Sequence, residues 1–167
     1  MKRTGSQIID ITEPDLWVMD RELQSVDEVR TLPETDVYRV RGIEGVQWAV
    51  RLFKGQVTAR TPGGIYRQCI LMGLDDATLV GAPRKMLRGT LADIRRPDAI
   101  IVDAAGYSYL FPDEPLAVGK TIEINDHRGV IVGICETSPP FITFPVLFTR
   151  YSTATIVAPR ERNTLGF

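Results

Sequence analysis

From Ala99 to Val102 the chain runs Ala-Ile-Ile-Val without a polar break. The run is short, β-branched and entered from Pro97-Asp98, which predicts a buried strand. The period then changes. From about Asp103 to Phe111 a short helix is expected, with Asp103 as its N-cap and Pro112 closing it. Thr121 to Ile124 alternates polar and apolar residues, and Gly129 to Cys135 repeats the alternation after Asn125-Asp126-His127-Arg128. That order predicts strand, polar turn, strand.

Towards the N-terminus the pattern is less regular. Ser6 to Thr12 holds Gln7-Ile8-Ile9-Asp10-Ile11, a short lead that Pro14 ends. Asp15 to Met19 then predicts a strand with Trp17 and Met19 on one face and Leu16 and Val18 on the other, apolar on both and therefore central and covered. Asp20 to Leu32 is charged and aperiodic, a loop. Pro33 to Arg41 predicts a helix: Pro33 suits the first turn, Glu34 and Asp36 the N-terminal half, and Gly42 the C-terminal cap. Val37, Val40 and Ile43 give this helix one apolar stripe, read as core packing. Val46 to Thr61 and Ile65 to Leu74 flank Pro62-Gly63-Gly64, a hairpin signal, with Gly55 marking a bulge in the first strand.

Asp75 to Pro97 is looser, with a helical turn expected at Pro83 to Leu87. Its basic residues Arg84, Lys85, Arg88, Arg95 and Arg96 read as a solvated face balanced by Asp75, Asp76 and Asp93. After Cys135, Ser138-Pro139-Pro140-Phe141 is a loop and Phe144 to Phe148 a buried strand. Arg150 to Val157 is rich in threonine, and intrinsic propensity argues against a helix there.

Composition changes the picture little. With 167 residues, 44% hydrophobic and 25% charged, the chain is long enough for one domain or two small lobes around a real core. Twenty basic against 21 acidic residues give a net charge of -1, without the basic excess of a sequence-independent nucleic-acid binder. No run reaches the roughly 18 apolar residues of a membrane helix, and no signal peptide opens the chain. Cys69 and Cys135 each fall in an expected strand. They read as small buried hydrophobes, with a disulfide as the minor alternative, and cannot by themselves fill a four-ligand zinc shell.

Candidate chemistry is sparse. The one histidine, His127, lies in the polar turn, so a nucleophile-histidine-acid arrangement would have to be built on a turn residue. Gly119-Lys120-Thr121 ends like a phosphate-binding loop, but Glu114 stands where the motif needs glycine, and Thr121 opens a strand where the motif opens a helix. Asp75, Asp76 and Asp103 show no sign of a carboxylate pair with separated acidities. No catalytic, cofactor-binding or metal-ligating residue is assigned. What remains are surfaces: Phe141 and Phe144 beside Pro139-Pro140, with His127 and Arg128 in the turn, are the partner-contact candidates.

The order strand, short helix ending in Leu110-Phe111, Leu116 to Ile122 with its Gly-Lys-Thr, and a hairpin closing on Val130 to Ile134 resembles the extracytoplasmic core domain of MacB-type ABC transporter permeases. Pro14-Asp15-Leu16-Trp17-Val18-Met19 and Phe144-Pro-Val-Leu-Phe-Thr-Arg-Tyr-Ser resemble the DevC subgroup more specifically. The resemblance implies an α+β fold with a porter-like lobe over 1–75, to which 159–167 returns, and an inserted mixed lobe over 76–158. It implies a short helix over Arg150 to Val157 despite its threonines, that Asn163 to Phe167 starts a strand, and that the porter-like lobe is left incomplete, with an exposed sheet edge. It also implies an inner-membrane permease that works as a homodimer with a cytosolic ATPase subunit and a membrane-fusion (adaptor) protein. This segment would lie in the periplasm between membrane helices, without cofactor, catalysis or nucleic acid. The rival class is a free-standing soluble ligand-binding or sensor domain, which needs a concave apolar pocket; a small hydrolase comes third.

Overall fold

The structure, a computed structural model, describes residues 16, 18–22, 32–33, 35–136 and 144–158. The described elements are α1 (Asp36–Arg41), β1 (Phe53–Arg60), β2 (Tyr66–Leu74), β3 (Lys85–Arg88), a 3-10 turn (Leu91–Arg95), β4 (Ala99–Asp103), α2 (Ala104–Leu110), β5 (Thr121–Ile124), β6 (His127–Glu136), β7 (Val146–Arg150) and α3 (Tyr151–Val157). The strands form one sheet in the order β3-β6-β4-β7-β2-β1-β5, and β5 pairs again with β6. Six strands thus close on one another as a small barrel, and β3 pairs with Ile134–Glu136 of β6, on the edge that β5 uses at His127–Val130.

Closure rests on pairings between residues far apart in sequence. β2 runs parallel to β7, with Ile70 opposite Val146 and Leu74 opposite Arg150. β1 meets β5 antiparallel at Ala59–Ile124 and Arg60–Glu123. Strands on either side of the expected division at 75/76 therefore share one sheet: the hairpin supplies two staves of the barrel that the later strands complete. The fold is mixed α+β and dominated by this sheet.

β2, β4, β6 and β7 are apolar on two faces, each covered differently, whereas β1 and β5 turn polar residues outward. Phe53, Val57, Ala59, Cys69, Leu71, Ile100, Val102, Ile124, Ile131, Ile134 and Leu147 pack into one cluster with Tyr107, Leu110 and Phe111 and with Tyr151, Ala154 and Val157. The intervening residues Met72, Leu74, Ala99, Ile101, Val132, Cys135 and Phe148 join a second cluster with Leu52, Leu79 and Ile94. β4 and β7 run antiparallel and each is followed directly by a helix, so α2 and α3 leave the barrel at opposite ends. Both helices belong to the first cluster and close those ends with apolar side chains.

One residue breaks the alternation on β6. Ile100 lies opposite Ile131 but Ile101 opposite Gly133, so Val132 is an extra residue in the ladder. This bulge is why Ile131 and Ile134, three apart, share the inner face. On the other side of β6, the register of β3 shifts between Met86 and Arg88. Gly89 follows with φ +68, placed where a Cβ would press on the Val132 carbonyl and the Gly133 Cα 3.0 Å away.

Several expected elements are seen as read. Asp103 caps α2, accepting from Gly106 N at 3.0 Å, and Thr61, Pro62, Gly63 and Gly64 turn the β1–β2 hairpin, with Gly64 at φ +80. Val146 to Arg150 forms the strand expected near Phe144–Phe148.

Others need correction. Leu16, Val18 and Met19, expected in a covered central strand, lie outside any strand and are exposed, Leu16 at 80%. Apolar alternation names a strand only where a partner edge exists, and the ring is closed by other strands. α1 begins at Asp36 rather than Pro33 and buries none of its residues, with Ile43 just beyond it 58% exposed, so its stripe is not core. β1 starts only at Phe53. Gly55 is no bulge: it pairs in register with Leu71, and a Cβ there would meet the Phe53 ring at 2.8 Å. Pro83 to Leu87 gives no helical turn but leads into β3, because Met86 finds an apolar seat beside β6. Tyr151 to Val157, by contrast, forms the helix that the resemblance implies, against its propensity, since Tyr151, Ala154 and Val157 bury one side of it. Trp17, the Ser6–Thr12 lead, the Ser138–Phe141 loop and the expected strand from Asn163 lie outside the described residues.

Candidate functional site

A concavity lies at the seam where the barrel closes. β1 and β5 pair over two positions and then part, since Pro62 has no N–H to continue the ladder and Gly64 turns the chain away. Between them lies a shallow cleft of about 510 Å³ lined by Arg60, Thr61, Pro62, Gly64, Thr121, Ile122, Glu123, Asp126 and Arg128.

Register sets its electrostatics. Tyr66 lies opposite Arg60, Arg60 opposite Glu123 and Glu123 opposite Arg128, so four strands place these side chains in one transverse row. The Arg60 guanidinium donates to the Glu123 carboxylate and, at 3.4 Å, to the Tyr66 hydroxyl. Those two partners raise the Arg60 pKa above its ordinary value, led by the Glu123 hydrogen bond. Arg128 extends the row to Asp98 at 3.6 Å. Each cation has its anion, so the cleft, lined also by Pro62 and Ile122, is charge-balanced.

The turn between β5 and β6 is tighter than expected. Ile124 pairs with His127, leaving Asn125 at φ 46 and Asp126 at φ 66 as the two turn residues. That is the geometry of a type I′ turn. Asn125 also pins the seam: its Oδ1 accepts from Thr58 N at 3.0 Å and its Nδ2 donates to the Val157 carbonyl at 3.1 Å. His127, expected in the turn, is therefore the first residue of β6, exposed, and is not in the cleft lining. Arg128 is.

The partner-contact candidates are not brought together. Phe144 is half-buried two residues before Val146, whose N–H binds Asp103 at the C-terminal end of β4. His127 and Arg128 open β6, which runs parallel to β4, so they stand at the other end. Phe141 lies outside the described residues.

The Gly-Lys-Thr segment has a structural explanation. Gly119, at φ +93, donates to the Ile131 carbonyl at 2.7 Å, and Ile131 donates to Lys120 O at 2.8 Å, so the segment extends the β5–β6 pairing. Lys120 Nζ binds the Glu114 carboxylate and sits 4.6 Å from the centre of the Phe111 ring. The residue that spoils the phosphate motif is thus the lysine's partner. Nearby, the buried Tyr107 hydroxyl donates to Pro115 O at 3.1 Å and accepts from Ala117 N at 3.2 Å. Tyr107→Phe leaves both unpaired and is expected to cost about 1–3 kcal/mol in a urea unfolding titration.

Cys69 and Cys135 are free and buried in different clusters. Burial pushes both thiols up to about 12. Native protein at pH 8 is therefore expected to leave both thiols unmodified by an aromatic disulfide reagent, and both should react once denaturant unfolds the chain. Fast labelling of the native state would contradict this burial. Among the described residues no group of three or more His, Cys, Asp or Glu side chains is placed to hold a metal ion. No helix there is long and apolar enough to cross a membrane.

The architecture is similar to that of solved extracellular and periplasmic domains of transporters. One such structure is the extracellular domain of the noncanonic ABC-type transporter YknZ from Gram-positive bacteria, with a TM-score of 0.55, 15% identity, and coverage of 75% of this chain and 66% of that one. A second is the periplasmic region of MacB from Actinobacillus actinomycetemcomitans, with a TM-score of 0.55, 16% identity, and coverage of 77% and 59%. A third is a domain of a putative permease protein from Porphyromonas gingivalis, at 0.50, 16%, 74% and 56%. The chain thus spans 56% to 66% of the length of these structures. The MacB-like resemblance read from the sequence meets the same fold in these solved structures; at such identities the likeness is one of fold. No protein-family model and no curated protein sequence matches the chain.

Proposed function

We propose that this chain is the periplasmic domain of a MacB-like ABC exporter permease, of the DevC subgroup, anchored in the inner membrane. The observation that carries the reading is the shared fold over about three quarters of the chain. In this reading the domain transmits motion and catalyses nothing. ATP-driven movement of a cytosolic ATPase subunit passes through membrane helices to the barrel, which passes it to a membrane-fusion protein for export of a lipid or other envelope substrate, in a homodimeric transporter. A barrel closed by six strands and packed at both ends by α2 and α3 suits a lever, because dense apolar packing resists deformation.

Phe141, Phe144, His127 and Arg128 are the proposed contacts with the membrane-fusion protein. Phe144 and the His127–Arg128 pair stand at opposite ends of the barrel, so a photo-crosslinker introduced singly at each tests them separately. In the intact transporter at least one end is expected to trap the membrane-fusion protein. Cross-links at neither end would remove this contact assignment.

A further inference from the structure

Arg67, at the start of β2, is a half-buried cation that meets no carboxylate among the described residues. Its Nη1 donates to the carbonyl of its neighbour Tyr66 at 3.2 Å, and its Nε is buried there without a hydrogen-bond partner. A guanidinium carries five N–H donors, so most remain unused. Stacking holds the group in place instead, with Cζ 4.5 Å from the centre of the Tyr109 ring on α2. Tyr109 is itself 49% exposed, so the stacked pair is open on one side. β2 starts at the end of the barrel that α2 closes. Pro145 O accepts from Ile70 N at 2.8 Å, so Phe144 and Pro145 run beside the same stretch of β2. Arg60, on the neighbouring strand, differs in being balanced by Glu123.

We propose that Arg67, seated on Tyr109, binds a glutamate or aspartate side chain of a partner protein. The guanidinium fork matches a carboxylate, and the stack fixes its orientation before the partner arrives. One uncompensated cation balances one negative charge, which suits a carboxylate rather than a phosphate group of about -1.5 to -2. Arg67 is outside the lining of the cleft at the seam, and an open stacked pair suits a protein surface, since small ligands bind in concavities. Arginine and tyrosine are also the side chains that most often anchor such contacts. The inference rests on the geometry of this end and is independent of the transporter reading; it puts the anchor at the Phe144 end of the barrel. The competing account is that the stack is only a brace, holding α2 over the mouth of the barrel.

A nuclear magnetic resonance titration of the full chain, labelled with nitrogen-15, distinguishes the two. The probe is a capped tripeptide of leucine, glutamate and leucine; the controls are its glutamine counterpart and inorganic phosphate. The expected result is a saturable shift of the Arg67 Nε–H signal by the glutamate peptide at millimolar concentration and none by the glutamine peptide. Arg67→Lys keeps the charge but loses the fork and the stack, and should weaken binding, read from the peptide's own signals, about fivefold or more. Tyr109→Ala, at an exposed position, should weaken it in the same sense, and a melt of each variant checks that the fold is kept. Equal shifts with the glutamine peptide, or undiminished binding by Arg67→Lys, would overturn the proposal. So would phosphate displacing the peptide at equal concentration, which would make the site a general anion patch. Absence of any shift at tens of millimolar peptide would decide for the brace.

Discussion

Gly89→Ala is expected to destabilise the fold by about 2–6 kcal/mol, combining the cost of an alanine at positive φ with that of overpacking against backbone. Gly89 sits at φ +68 with a prospective Cβ directed at the Val132 carbonyl. The atoms it meets are main chain, so no side chain can rotate away. Val132 is itself the bulged residue of β6, and β6 pairs with β3, β4 and β5. Relief therefore requires peeling β3 off the barrel or flattening the bulge, which would disturb the Ile131–Ile134 inner face. Urea unfolding followed by tryptophan fluorescence or circular dichroism measures the loss. A change below 0.5 kcal/mol, the scale of an ordinary surface substitution, would show that the β3–β6 register is not as described.

Asp103→Ala should cost about 2–4 kcal/mol, because one side chain ties two backbone donors from different elements. Oδ2 accepts from Gly106 N at 3.0 Å, capping α2, and Oδ1 accepts from Val146 N at 2.7 Å, fixing the start of β7. Loss of a cap is worth about 0.5–2 kcal/mol and an orphaned buried donor about 1–3. Asp103→Asn should recover only part, since its amide nitrogen would face one of the two N–H groups. Burial raises the Asp103 pKa above its ordinary 3.8, against the pull of the two backbone hydrogen bonds. A carboxyl with a raised folded-state pKa binds its proton more tightly when folded. Its stabilising contribution is complete below the unfolded-state value and declines as pH rises through the folded-state value. The stability of the native chain minus that of Asp103→Asn should therefore grow as pH is lowered from neutral towards 4. A difference that shrinks over that interval would place Asp103 in a solvated, ion-stabilising setting instead.

The parts of the fold legible in the sequence are those whose cause is local. Ala99 to Val102, the Asp103 cap, the α2 helix and the β5–β6 hairpin each follow from period, capping chemistry or turn residues within a few positions. Barrel closure does not, because it depends on Ala59 meeting Ile124 and Ile70 meeting Val146, pairings that leave no local signature. β3 was hidden for a related reason: Lys-Met-Leu-Arg offers two half-buried residues between charges and is a strand only because β6 has an edge to give. Leu16, Val18 and Met19 show the converse, apolar residues that pair with no strand among the described residues. At the candidate site, Arg60 and Glu123 are far apart in the chain and joined only by register, so the charged row of the seam could not be read in advance. His127 was misplaced by one feature: Asn125 and Asp126 both accept positive φ, so two residues complete a turn that the polar run suggested would take four.

The measurement that tests the central claim most directly is the reading frame on either side of Met1 and Phe167, scored for apolar spans. The permease account predicts one span of about 20 residues before Met1 and about three after Phe167, enough to carry this domain across a membrane. A stop codon close to Phe167 with no span upstream would contradict it.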